Sequence, residues 1–151
     1  MTISIIIPVY KSETYIRRCV ESVIEQESDT YTIECILVDD CSPDDSVEIA
    51  ANMIGEYNRG GGKIPFEILC LPENKGHCAA RNAAVRIASG DYYLFVDSDD
   101  YLERDSVKYF VYDLDSIDGQ PEVIMANARS TCDKRLLSTI PQKQCIDNSN
   151  V

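Results

Sequence analysis

ISIIIPVY, residues 3–10, sets the fold class. Its Ile and Val side chains run on without the apolar–polar alternation of a strand with one wet face. It therefore predicts an interior parallel strand covered on both sides. Residues 14–26 then place Ile16, Cys19, Val20, Val23 and Ile24 on one helical face. IECILVDD, residues 33–40, is a second strand. Residues 44–57 carry Val47, Ala50, Ala51 and Ile54 on one stripe, with Ser42 and Pro43 expected as cap and first turn. RGGGK, residues 59–63, is a connection, and FEILCL, residues 66–71, a third strand. Residues 77–89 align Ala80, Ala83, Ala84, Ile87 and Ala88, with Gly90 as the expected C-cap. DYYLFVDSD, residues 91–99, is a fourth strand, expected to be buried. Residues 103–116 align Val107, Phe110, Val111 and Leu114, and EVIMANA, residues 122–128, is a fifth strand. This alternation implies right-handed βαβ crossovers, hence an α/β, Rossmann-like, mostly parallel sheet with helices on both faces. Residues 1–130 are expected to form one domain, and 131–151 an irregular tail or the start of a following part.

Composition narrows the function. At 151 residues, 44% hydrophobic and 26% charged, the chain is globular and long enough for a core. A net charge of −12 argues against nucleic acid as a partner, because such binding needs Lys and Arg to neutralise phosphates. No apolar run approaches the roughly 20 residues that span a bilayer, so no membrane segment or signal peptide is expected in this chain. The seven cysteines form no CxxC pair and are expected to be reduced and mostly buried, in a cytoplasmic protein.

Doubly wound sheets bind ligands at the carboxyl ends of their strands. Here the first strand is followed by Pro8, Val9 and Tyr10, the second by Asp39, Asp40, Cys41 and Ser42. Glu73, Asn74, Lys75 and Gly76 follow the third, and Asp97, Ser98, Asp99 and Asp100 the fourth. Three carboxylates in four positions is costly: two charges 4 Å apart repel by about 1 kcal/mol in water and about 4 at an effective dielectric near 20. A divalent cation would offset that cost. Mg²⁺ or Mn²⁺ suits Asp97 and Asp99, because hard cations take oxygen ligands and bridge to diphosphate. A turn at Pro8–Tyr10 can cradle a base, Asp40 can accept from a ring N–H, and Arg81 can fork onto phosphate. The first strand lacks the GxGxxG turn of dinucleotide-binding folds. Taken singly, Asp39–Asp40 and Asp97–Asp100 also fit strand-ending turns that cap a helix, and Arg81 also fits a surface ion pair.

SIIIPVYKSETYIRRCVESV, ILVDDCSPDDS, ENKGHCAARNAAV and GDYYLFVDSDD resemble, in order and spacing, the family 2 glycosyltransferases with their GT-A nucleotide-sugar-binding fold. The resemblance runs from residue 3 to about residue 115. It implies that Pro8, Val9 and Tyr10 line the nucleoside pocket with Glu13 nearby, and that Asp40 recognises the base, uracil for most of the family. It implies that Asn74, Gly76 and Arg81 approach ribose and diphosphate. Asp97, Ser98 and Asp99 become the Asp-x-Asp motif, with Asp99 the first metal ligand and Asp100 in support or against the sugar. The activity implied is metal-assisted, inverting transfer from a nucleoside-diphosphate sugar to a hydroxyl of a glycan or lipid-linked acceptor. The general base is then expected beyond Val151, and this chain is the donor-binding portion. Two positions depart from the pattern: Lys11 stands where Asn is usual, and Ala84 where Gly is common. Two other functions compete: an inactive nucleotide-binding module, and a receiver-type phosphoacceptor domain, whose acid pair would follow the first strand.

Overall fold

The computed structural model describes residues 1–116; the expected strand at 122–128 and the tail at 131–151 lie outside them. Strands and helices alternate as β1 (Thr2–Val9), α1 (Ile16–Ile24), β2 (Thr32–Asp39), α2 (Ser46–Arg59), β3 (Phe66–Cys70), α3 (His77–Val85), β4 (Tyr92–Phe95) and α4 (Ser106–Ser116). Residues 1–111 form one compact unit; a second begins at Tyr112, within α4. The four strands make one parallel sheet in the order β3-β2-β1-β4. That order is the 3-2-1-4 of Rossmann sheets and differs from the 2-1-3-4-5 of receiver domains. No helix among the described residues is long and apolar enough to cross a membrane.

β1 is the interior strand its composition demands. On one face Ile3, Ile5, Ile7 and Val9 are at most 1% exposed, with Cys35 and Leu37 of β2 in register beside them. On the other, Ile6, Ile36 and Val38 pack with Ala80 and Ala84 of α3, and Leu69, Leu71, Val85 and Ala88 complete the cluster. The small alanines let α3 lie close over β1 and β2, and Ala84 fills its place with a methyl group.

Several local expectations change. α3 ends at Val85, not at residue 89, so Ile87 is 43% exposed rather than part of the apolar stripe. β4 is not buried: it lies at the edge of the described sheet, and Tyr93 and Phe95 are 42% and 45% exposed. Along α2, Met53 is buried where Ala51 was expected, and Ala51 is exposed. Of the five described cysteines only Cys19 and Cys35 are buried; Cys41, Cys70 and Cys78 are exposed, and all five are free thiols.

Gly90 does not cap α3. Its N–H donates to Ser4 Oγ at 2.9 Å and to Glu34 Oε1 at 3.2 Å, where the chain turns beneath β1 to enter β4. A Cβ there would sit 2.4 Å from Ser4 Oγ and 2.8 Å from the Ser4 backbone nitrogen. Gly90→Ala is therefore expected to destabilise the protein by roughly 2 kcal/mol, the scale of overpacking a fitted site, measured as a lower urea midpoint.

Candidate functional site

The strand order reverses direction at β1: the chain moves outward to β2 and β3, then returns to place β4 on the other side. The crevice at such a reversal, at the carboxyl ends of the strands, is where this architecture binds ligands. Pro8–Tyr10 and Asp97–Asp100 flank it directly. Pro8 and Val9 are buried, so they offer backbone rather than side chain, and Val9's carbonyl already accepts the Asp40 N–H at 3.0 Å. Tyr10 is 43% exposed, with its ring open at the strand end. The turns that follow β1 and β2 hold Lys11 and Cys41 at φ 52° and 57°. Left-handed backbone disfavours side chains other than Asn, Asp and Gly, so both residues sit in a conformation uncommon for their type.

Asp40 is 2% exposed, and its carboxylate is engaged by protein. Oδ1 accepts the Lys75 N–H and Oδ2 the Gly76 N–H, each at 2.7 Å. Gly76, at φ 85°, precedes the first turn of α3, so Asp40 pins the start of that helix to the end of β2. Asn74 is exposed on the same turn.

Arg81, one turn into α3, reaches the acidic motif. Its Nη2 donates to Asp97 Oδ1 at 2.5 Å, and its guanidinium lies 5.6 Å from the centroid of the Phe95 ring. Its Nε is buried and makes no hydrogen bond among the described residues. Ser98 is buried, while Asp97, Asp99 and Asp100 are exposed, and the Asp100 N–H closes a turn onto the Asp97 carbonyl at 2.9 Å. Burial, then Asp99 and Asp97, push the Asp100 carboxyl above its usual range. Burial, then Asp100, Asp99 and Asp97, push the Cys19 thiol beneath this turn up to about 12, so it stays protonated.

Among the described residues no three ligating side chains converge to enclose a metal by themselves. That suits a cation which keeps several waters and takes one or two carboxylates plus phosphate oxygens, as Mg²⁺ does. Asp99 and the free Oδ2 of Asp97 fit that requirement, and Arg81 is the one cation ion-paired to this cluster among the described residues.

Sequence patterns did not reveal the hub behind these turns. Ser42 is not the cap of α2: its hydroxyl donates to Asp44 Oδ1 at 2.6 Å and accepts the Lys11 N–H at 2.8 Å. Asp44 also accepts from the Ser46 hydroxyl at 2.5 Å and from the Glu13 N–H at 3.1 Å. Glu13 returns the contact, accepting the Asp45 N–H at 3.4 Å, so it braces α2. Burial alone would raise the Asp44 carboxyl; the hydrogen bonds from Ser42, Ser46 and Glu13 outweigh it and bring the value down to about 2. The sign follows: a depressed carboxylate contributes stability that is present above its unfolded value near 4 and lost as pH falls toward about 2. Asp44→Asn is expected to flatten that acid limb, measured as urea stability at pH 5 against pH 2.5.

Two grooves lie elsewhere. One of about 460 Å³ runs between α1 and residues 101–104, where Arg18 stacks 3.5 Å from the centroid of Tyr101. The other, about 360 Å³, lies at the amino-terminal end of the strands beside Met1 and Lys63. None of the predicted site residues lines either groove.

The four-strand parallel sheet alternating with helices is a GT-A-like fold. Residues 4–136 match the glycosyl transferase family 2, and the chain belongs to that family. It is 40% identical over 106 residues to an uncharacterized glycosyltransferase of Haemophilus influenzae, covering 70% of this chain and 39% of that protein. It is 35% identical over 109 residues to the poly(ribitol-phosphate) beta-N-acetylglucosaminyltransferase TarS of Staphylococcus aureus, 72% of this chain and 18% of TarS. The crystal structure of TarS 1–349 in complex with UDP superimposes with a TM-score of 0.65 at 32% identity, over 77% of this chain and 32% of that one. A Pyrobaculum calidifontis mannosyltransferase in complex with GDP-Man and Mn²⁺ shares the fold, with a TM-score of 0.63 at 21% identity, over 72% of this chain and 31% of that one. The chain thus spans well under half the length of these relatives.

Proposed function

We propose that this chain is the donor-binding part of an inverting glycosyltransferase that uses a UDP-sugar, assisted by Mg²⁺ or Mn²⁺, and glycosylates a hydroxyl of a glycan or lipid-linked acceptor. The observation that carries this is the assembly of Tyr10, Arg81 and Asp97–Asp100 around one switch point in a family 2 chain. Uracil is favoured because TarS, a relative at 32% identity, takes UDP in its crystal structure.

In this reading the exposed Tyr10 ring offers a stacking face to the base. Arg81 meets the diphosphate through the accessible part of its guanidinium while its Nη2 keeps Asp97 in place. Asp99 and Asp97 would hold the cation, which when bound would supply positive charge against the departing diphosphate. The acceptor oxygen bonds to the anomeric carbon, the bond from that carbon to the diphosphate oxygen breaks, and its electron pair leaves with UDP. The acceptor's proton passes to a general base. Each Asp40 oxygen accepts one backbone N–H and keeps a second lone pair, so Asp40 can read a ring N–H by sharing an oxygen with the Lys75 or Gly76 N–H.

Calorimetric titration tests the proposal. UDP is expected to bind at least tenfold more tightly with Mn²⁺ than without, and at least tenfold more tightly than GDP. Binding of neither nucleotide in the presence of Mn²⁺ would remove the donor-site reading. Tighter GDP binding would overturn uracil alone.

A further inference from the structure

Cys19, Ser22 and Gln26 lie at i, i+3 and i+7 along α1 and just past its end, and are 0%, 5% and 1% exposed. Polar groups this deeply buried are costly unless hydrogen-bonded. All three bond to the segment that leaves β4 and carries the acidic turn. Cys19 Sγ is 3.7 Å from the Asp97 carbonyl oxygen. Ser22 Oγ gives its own proton to the Cys19 carbonyl at 2.7 Å, which aims a lone pair outward to accept the Leu102 N–H at 3.0 Å. Gln26 Oε1 accepts the Val107 N–H at 3.1 Å. Its Nε2 donates to the Glu103 carbonyl at 3.1 Å and to the Ser22 carbonyl at 3.0 Å.

These contacts grip main-chain atoms at 97, within the acidic turn, and at 102, 103 and 107, after it, and touch no carboxylate themselves. The strand side is held separately, by the Val96 N–H on the Ile6 carbonyl at 3.0 Å. Mutual repulsion of Asp97, Asp99 and Asp100 works to open the turn. A rigid helix tied to it at intervals opposes that opening.

We propose that Cys19, Ser22 and Gln26 are positioning residues for the donor site, fixing through the backbone of residues 97–107 where the cation-holding carboxylates stand. This rests on the proposed cation role of Asp97 and Asp99. Ser22 and Gln26 are the stronger members, because a thiol is a weak donor.

The test is Mn²⁺ titration of the full chain with UDP present, in Ser22→Ala and Gln26→Leu. Glu34→Gln serves as the control. Glu34 lies at the other end of the strands, where it accepts from Ser4, Ser89 and Gly90. The Mn²⁺ dissociation constant is expected to rise about five- to tenfold in both α1 variants. In the control, stability falls while Mn²⁺ affinity stays within twofold. Ser22→Ala removes a single atom, so the result does not depend on Gln26→Leu folding. Unchanged Mn²⁺ affinity in the α1 variants, with binding lost in Asp99→Ala, would overturn the proposal. If the unsubstituted chain takes no Mn²⁺, the cation reading fails separately, and amide exchange decides. Exchange at Asp100 and Leu102 about tenfold faster in both variants sustains the positioning role; unchanged exchange refutes it.

Discussion

Asp99→Ala is expected to abolish the metal-dependent part of UDP binding, weakening affinity in the presence of Mn²⁺ by about 100-fold while leaving metal-free binding unchanged. The magnitude follows from how few ligands the site offers. With no third converging side chain among the described residues, each carboxylate bears a large share of the cation's protein contacts. Asp97 is already committed through Oδ1 to Arg81, whereas Asp99 is exposed and in no ion pair among the described residues. Asp97→Ala should therefore cost less, about tenfold, and should also release Arg81. The ordering is the informative part, and it is read by titrating Mn²⁺ into each variant with UDP present. An Asp97→Ala loss larger than that of Asp99→Ala would reverse the assignment. Retained metal dependence in both would move the cation elsewhere.

The second large effect is on stability. Asp40→Asn is expected to cost about 2–3 kcal/mol, measured by urea unfolding at pH 7. Both carboxylate oxygens receive a backbone N–H at 2.7 Å in a position 2% exposed to water. An amide retains one oxygen, so whichever way it turns, its NH₂ group faces a backbone N–H and leaves that donor unsatisfied. The carboxylate bonds lost are also the stronger, charge-assisted kind. Since those N–H groups open α3, amide exchange should rise at Lys75 and Gly76 first. If Asp40→Asn leaves stability intact and instead erases the preference for UDP over GDP, the residue reads the base and its hold on the turn is incidental.

The gap between these two predictions shows what was legible beforehand. ILVD places Asp40 directly after a strand, and β2 does end at Asp39. The Asp40 partners at Lys75 and Gly76 lie 35 and 36 positions away, and nothing in either stretch alone announces the bonds. Gly90 shows a related limit. A glycine following a helical stripe reads as a cap, but α3 stops at Val85 and the glycine is required by Ser4, 86 residues distant. The Asp44 hub was missed because SPDDS reads as an ordinary turn into a helix. Only the approach of Lys11–Glu13, some 31 residues earlier, turns it into a junction.

What the sequence determined by itself is local in origin: the strand and helix periods, the parallel interior character of β1, and the gathering of unusual polar residues at strand ends. Side-chain periodicity and burial demand are written in each segment, and parallel strands must end at one edge when helices return the chain between them. The tertiary structure decided which of those polar groups face one another. It set Arg81 against Asp97, committed Asp40 to the start of α3, left β4 half exposed at the edge of the described sheet, and set the buried Ser22 of α1 against Leu102. The physical reason is that a hydrogen bond depends on angles and distances of a few ångströms. Those are fixed by packing between segments far apart in the chain, and neither segment encodes them alone.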